Sequence, residues 1–165
     1  MRLELAGTGV VDTVASQWVE LADEQVQYGS HVRGDRSREQ IRDEIARHAV
    51  TDTLLVARSE RDDEAIVGFA MFSLERGTFE KAVQRGIVEA IYVVPDRRDE
   101  GIGSALLGAA ETHLLEAGAD RLSLESLADN DDARRFYRRH GYEPHRVEHE
   151  KAPENDNHSK EGGKE

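Results

Sequence analysis

Apolar positions along the chain follow two periods, and the switches between them divide it into elements. "LELA" at 3–6 predicts a short first strand. Val11, Val14, Trp18, Leu21 and Val26 then recur at helical spacing, predicting a helix that Gly29 ends. Ser37 followed by Gln40 is a capping-box pattern opening a second helix, "SREQIRDEIARHAV". "TLLVARS" (53–59) and "AIVGFAMFSLE" (65–75) predict two strands joined by an "RDDE" turn, a hairpin. "RGTFEKAVQRG" (76–86) reads as a loop or a poorly formed helix, and "IVEAIYVV" (87–94) as a third long strand closed by Pro95.

A third helix, "GSALLGAAETHLLEAG", carries Leu106, Leu107, Ala110, Leu114 and Leu115 on one side, with Gly118 near its C-cap. Leu122 and Leu124 alternate in "DRLSLESL" (120–127), a strand. "DNDDARRFYRRHG" (129–141) predicts a short helix capped by Asn130 or Asp129 and ended by Gly141. "YEPHRVEHE" (142–150) reads as a final strand, and the chain from Ala152 as a disordered polar tail. The expectation is one domain over 1–151 and a tail over 152–165. This order of elements implies an α+β, or mixed α/β, sheet of six or seven strands.

Composition removes several classes of function. No cysteine is present, which excludes disulfides, thiolate zinc sites and cysteine nucleophiles. Formal net charge is −12, an unfavourable balance for nucleic-acid binding. Short apolar runs and an N-terminus without a signal-like apolar stretch predict a soluble cytoplasmic protein with no membrane partner. Lysines are confined to Lys81, Lys151, Lys160 and Lys164, so the acid-rich surface resembles those of proteins from salt-loving archaea. His145 and His149 are four apart in a predicted strand, a rise of about 13 Å that is too long to share a metal ion. His31, His113 and His140 are isolated surface or packing histidines, and no metal is expected.

The stretch that carries chemistry is "RRDEGIGSALL", Arg97 to Leu107. Leu106 stands where the dinucleotide fingerprint needs Gly or Ala, and the loop follows several strands, so the Rossmann reading fails. No P-loop and no G-x-S-x-G elbow is present, and Ser104 is an early helix residue rather than a nucleophile. There remains a strand, Pro95, then Arg98-x-x-Gly101-x-Gly103 opening a helix. Amides at such a helix start point into the loop and favour an anion. Asp99 and Glu100 are out of keeping with that use.

"AIYVVPDRRDEGIGSALLGAAE" (90–111) and "LSLESLADNDDARRFYRRHGYEP" (122–144) together resemble the GCN5-related N-acetyltransferase (GNAT) superfamily. The resemblance covers about residues 54–148; the first two helices fit by order only. It implies a central, mostly antiparallel twisted sheet with splayed central strands and about four helices. It also implies acetyl-CoA as cosubstrate. The main chain at Ile91, Tyr92 and Val93, on a bulged strand, would pair with the pantetheine arm. Arg98 belongs to the motif, and the amides of Asp99, Glu100, Gly101, Ile102, Gly103 and Ser104 would hold the pyrophosphate. Asn130 would contact the pantetheine arm or cap its helix, and Tyr137 would stand near the sulfur. "RRDEG" departs from the family's usual Arg-Gly-Lys-Gly. A loop that binds through backbone N–H groups leaves the Asp99 and Glu100 side chains free to point outward, with Arg97 and Arg98 offsetting their charge.

The implied reaction is attack of a neutral primary amine on a thioester, through a tetrahedral intermediate with thiolate departure. A main-chain N–H near Val93 can stabilise the oxyanion. Tyr137 can donate to the thiolate, or be one more core aromatic beside Phe136 and Tyr142. Glu125 and Glu89 are rival bases, each of which could equally be a solvent-facing strand glutamate. The resemblance implies an acceptor wall built by the loops that carry Tyr28, His31, Arg33, Phe79 and Glu80, each of which could equally be an exposed loop side chain; their mixed charges do not identify the small-molecule or protein amine. A homodimer is admitted by the resemblance, though no residue argues for it. The rival readings are a non-catalytic acyl-CoA-binding sensor or interaction module on the same fold, and O-acyl transfer.

Overall fold

The computed structural model describes residues 1–153. Its sheet has five strands in the order β1 (Arg2–Leu5), β2 (Leu54–Arg58), β3 (Ile66–Leu74), β4 (Arg85–Val93) and β5 (Arg121–Leu124). Successive pairs from β1 to β4 are antiparallel, whereas β4 and β5 run parallel. The sheet is therefore mixed and has five strands, not the six or seven expected. The missing strand is 142–150, which belongs to no helix or strand. Beyond Tyr142 its only large aliphatic residue is Val147, which is 70% exposed. With no apolar face to bury, this segment has nothing to hold it against a sheet.

Four helices cover the two faces. α1 (Val11–Gln25) and α2 (Arg38–Val50) pack on one. Val14, Ala15, Ile41 and Ile45 meet Leu54, Val56, Phe69 and Met71 there. α3 (Ile102–Glu116) packs on the other, with Leu106, Leu107, Ala110 and Leu114 against Leu55, Ala70, Phe72 and Val88. The alternation of β2 and β3 feeds both cores, so their runs are apolar almost throughout. Each fully buried Leu or Phe here contributes roughly 1.5–3 kcal/mol.

Two helix starts differ in how they are closed. Asn130 caps α4 (Asp131–Arg139) as expected, its side chain accepting from the Ala133 N–H at 3.1 Å. Ser37 precedes α2, but its hydroxyl donates to the Arg33 carbonyl at 2.8 Å, so the capping box does not form. Residues 76–84 are irregular, with two bends and no helix. The tail beyond Pro153 lies outside the described residues.

Candidate functional site

β4 and β5 diverge, and this divergence creates the site. They pair only from Arg85–Arg121 to Val88–Leu124. β5 then ends, while β4 runs on to Val93 with β3 on one edge alone. The Val94 N–H donates to the Val67 carbonyl at 2.9 Å, which fixes the alternation: Tyr92 turns its main chain to β3, and Ile91 and Val93 turn theirs into the gap. Of the three strand residues expected to offer main-chain groups, Ile91 and Val93 thus face the open side. Tyr92 is instead a buried side chain whose hydroxyl donates to Glu20 of α1 at 2.8 Å.

β4 also carries the expected bulge, and Glu89 is its extra residue. Met71 pairs with Ala90 and Phe72 with Val88, leaving Glu89 unpaired between them. Val88 packs toward α3, whereas Ala90 and Tyr92 pack toward α1 and α2. Glu89 lies on the α2 side, its Oε2 2.7 Å from Nε2 of His48. That hydrogen bond holds the Glu89 carboxyl below the usual carboxylate range, overcoming the opposing effect of burial. Glu125 sits one residue past the end of β5 and is exposed.

The loop after β4 ends in a helix start that no side chain caps. None of the amides from Asp99 to Ser104 donates a hydrogen bond to a described residue. Gly101 holds φ at +85° and Asp99 at +62°, a left-handed backbone that Asp tolerates better than most residues. Glu100 turns outward, accepting from Arg97 Nε at 2.8 Å and from Arg61 at 3.2 Å. Arg97 is anchored on the buried Ser59 hydroxyl at 3.0 Å. Arg98 does not offset these acids. Its Nε donates to the Val93 carbonyl at 2.9 Å and its Nη2 to Glu24 of α1 at 2.9 and 3.0 Å, while its guanidinium lies 5.5 Å from the Tyr92 ring centroid. Ser104 hydrogen-bonds His140 at 3.0 Å, joining the start of α3 to the end of α4.

Gly103 lies in the first turn of α3, opposite the side chains of Val93 and Phe136. A methyl group placed on it would meet Phe136 at 3.6 Å and Val93 at 3.8 Å, ordinary contact, so the protein's own packing does not require glycine there. Tyr137, on α4, packs with the α3-side core, edge-on to Phe136 and Tyr142, and burial pushes its phenol above the usual range. Tyr142 is tied to α3 through its donation to Glu111 at 2.8 Å. Asn130 is buried and spends its carbonyl on the helix cap. Unpaired amides at a helix start beside a free strand edge are suited to an anion joined to an extended chain.

On the acceptor side the picture is mixed. His31 pairs with Glu150 at 2.9 Å, Tyr28 is half-buried, and Arg33 and Glu80 are exposed. Phe79 is 83% exposed and lines an open hollow of its own loop, with Arg76, Lys81 and Asp120. Sequence reasoning missed His48, Glu20 and Glu24. His48 follows Ile41 and Ile45 by seven and three residues, which puts it on the buried face of α2. Among the described residues, no three histidine or acidic side chains gather as a metal site, and no helix is long and apolar enough to cross a membrane.

A family model described as "Acetyltransferase (GNAT) family" matches residues 18–142. A mycothiol acetyltransferase of Kocuria rhizophila is 33% identical over 89 residues, covering 54% of this chain and 29% of that protein. The chain thus spans less than a third of that relative's length. A Bacillus halodurans protein, solved as a tetramutant, superposes with a TM-score of 0.77 at 19% identity, covering 93% of this chain and 100% of its own. An aminoglycoside N-acetyltransferase solved in complex with CoA superposes with a TM-score of 0.68 at 16% identity, covering 92% of this chain and 95% of its own.

Proposed function

Because this chain belongs to the GNAT acetyltransferase family, we propose that it transfers the acetyl group of acetyl-CoA to a primary amine by direct attack. The observation that carries the reading is the run of unbonded amides from Asp99 to Ser104, continuous with the free edge of β4. These amides bind the pyrophosphate, aided by the positive end of the α3 dipole. Ile91 and Val93 pair with the pantetheine arm as an added strand would. Acetyl-CoA supplies an activated thioester; the protein supplies orientation and proton handling.

The Val93 N–H is available to the carbonyl oxygen as negative charge builds on it. Glu89 receives the amine's proton, directly or through one water, and is preferred over Glu125 because the bulge and His48 hold it in place. Tyr137 donates its phenolic proton to the leaving sulfur; a phenol is protonated at neutral pH without any shift, and burial moves it further in that direction. The relatives support an amine acceptor, of which an aminoglycoside is one example. The excess of acidic over basic residues suits operation in concentrated salt, where screening shortens the reach of Asp99 and Glu100.

The test is release of free CoA thiol from acetyl-CoA with a panel of amines: spermidine, glucosamine, lysine and an N-terminal alanyl peptide. Turnover that falls in Tyr137→Phe with unchanged affinity for acetyl-CoA supports the enzyme reading. Tight acetyl-CoA binding with no turnover of any amine turns the account toward a non-catalytic acyl-CoA-binding module.

A further inference from the structure

Behind Glu89 lies a hydrogen-bonded row that the reaction as described does not use. His48, in the last turn of α2, is held at both ring nitrogens and is only 15% exposed. Nε2 meets Glu89 Oε2 at 2.7 Å, and Nδ1 meets the Thr53 hydroxyl at 2.8 Å. Thr53 in turn meets the Thr51 hydroxyl at 2.9 Å, and Thr51 meets the Arg47 carbonyl at 2.9 Å. Thr51 is exposed, so the row runs from the bulge to solvent.

Counting protons along this row gives a complete arrangement for each protonation state of His48. In the first, Thr51 donates to Thr53, Thr53 donates to Nδ1, and neutral His48 donates Nε2–H to Glu89. The Arg47 carbonyl then keeps the Thr51 N–H, which it accepts at 3.0 Å. In the second, the Thr53 hydroxyl turns round: the Nδ1–H donates to Thr53, Thr53 donates to Thr51 or to the His48 carbonyl at 3.3 Å, Thr51 can donate to the Arg47 carbonyl, and His48 is an imidazolium. Nε2–H points at Glu89 in both.

We propose that His48 is the positioning residue of the acceptor side, holding the Glu89 carboxylate at the bulge in both of its own protonation states because the Thr53 hydroxyl can reverse direction behind it. The proposal rests on Glu89 being the carboxylate that takes the amine's proton. The groups facing Glu89 are His48 from α2 and the Ser73 hydroxyl from β3, and no other ion pair among the described residues involves it. Removing His48 therefore leaves burial to act on the carboxyl with little opposition. Thr53 acts one step further back, by fixing the ring.

The test uses the full chain and two readouts. The Glu89 carboxyl carbon is titrated by NMR in the wild type, His48→Ala and His48→Gln. The midpoint should rise by at least about one pH unit in His48→Ala, the scale of losing one close favourable partner. It should return part of the way in His48→Gln, whose amide reaches the same place with an N–H. With whichever amine the wild type turns over, the acid limb of kcat should move by the same interval. kcat should fall about tenfold while KM for acetyl-CoA holds, and unchanged acetyl-CoA affinity shows that each variant is folded. Loss of turnover in Glu89→Gln together with an unmoved carboxyl midpoint in His48→Ala would overturn the role of His48 and leave Glu89 standing. Full turnover in Glu89→Gln would overturn the Glu89 reading, and the His48 role with it.

Discussion

Replacing Gly103 by alanine should move stability and coenzyme affinity in opposite directions. Gly103 lies in the first turn of α3 with no positive φ, and a methyl group there finds Phe136 at 3.6 Å and Val93 at 3.8 Å, without a clash. Glycine is the poorer helix former by roughly 0.5–1 kcal/mol, so the empty protein should gain up to that amount. For a chain of this size that corresponds to a rise in Tm of about 1–4 °C. The same methyl projects between β4 and α4, the space assigned to the pantetheine arm and its pyrophosphate. Crowding a filled site by one methyl costs about 1–3 kcal/mol, which at 1.4 kcal/mol per decade weakens binding about 5- to 150-fold. Differential scanning calorimetry without ligand gives the first quantity and titration calorimetry with CoA the second. Unchanged CoA affinity in Gly103→Ala would refute the path assigned to the coenzyme. A fall in Tm would refute the reading that the protein itself tolerates a side chain there.

The loop, the cap and the acid limb of stability give three further expectations. Asp99→Gly relieves a φ of +62° and removes a carboxylate beside the phosphate site, so it should stabilise the protein by about 1 kcal/mol and tighten CoA binding, more at low salt than at high; chemical denaturation and calorimetry at two potassium chloride concentrations check both. Asn130→Ala removes the α4 cap and should cost about 1 kcal/mol in urea unfolding. Hydrogen bonds from His48 and Arg58 depress the carboxyls of Glu89 and Glu4 in the folded state, so their contribution is fully present above the unfolded carboxylate pKa and is lost as pH falls through the folded values. Urea midpoints measured from pH 6 to pH 3 should decline, and less steeply in Glu89→Gln; an equal slope in the variant would contradict the assignment.

What the sequence made legible was whatever local pattern decides. The helical period of α1 and α3 and the β2–β3 hairpin are each settled within a few residues, and each is found; the α4 cap falls on Asn130, one of the two candidates. The bulge was expected from a resemblance, and its register, two residues of β4 against one interval of β3, places Glu89 on it. The final strand failed because a polar stretch around Val147 was read as though it had an apolar face to bury. Ser37 fits the capping pattern, yet its hydroxyl finds the Arg33 carbonyl instead, a competition between neighbouring backbone partners that spacing does not resolve. The two acids of "RRDEG" were the puzzle in the loop. Glu100 is accommodated by Arg61 and by Arg97, itself anchored on the buried Ser59 hydroxyl, and Arg61 and Ser59 are distant in sequence; Asp99 takes none of these contacts and sits on a left-handed backbone. His48 escaped notice for the same reason: its partners Glu89 and Thr53 are brought to it by the packing of α2 on the sheet.

The central claim is that the uncapped start of α3 and the free edge of β4 form one coenzyme site. Titration calorimetry of the full chain in molar potassium chloride, with acetyl-CoA, free CoA and ATP, tests it most directly. The account predicts tight binding of acetyl-CoA and CoA and much weaker binding of ATP, because only the first two reach from the amides of Asp99 to Ser104 to the edge at Ile91 and Val93. No binding of either CoA form by a folded protein would contradict it, and so would ATP binding as tightly as CoA.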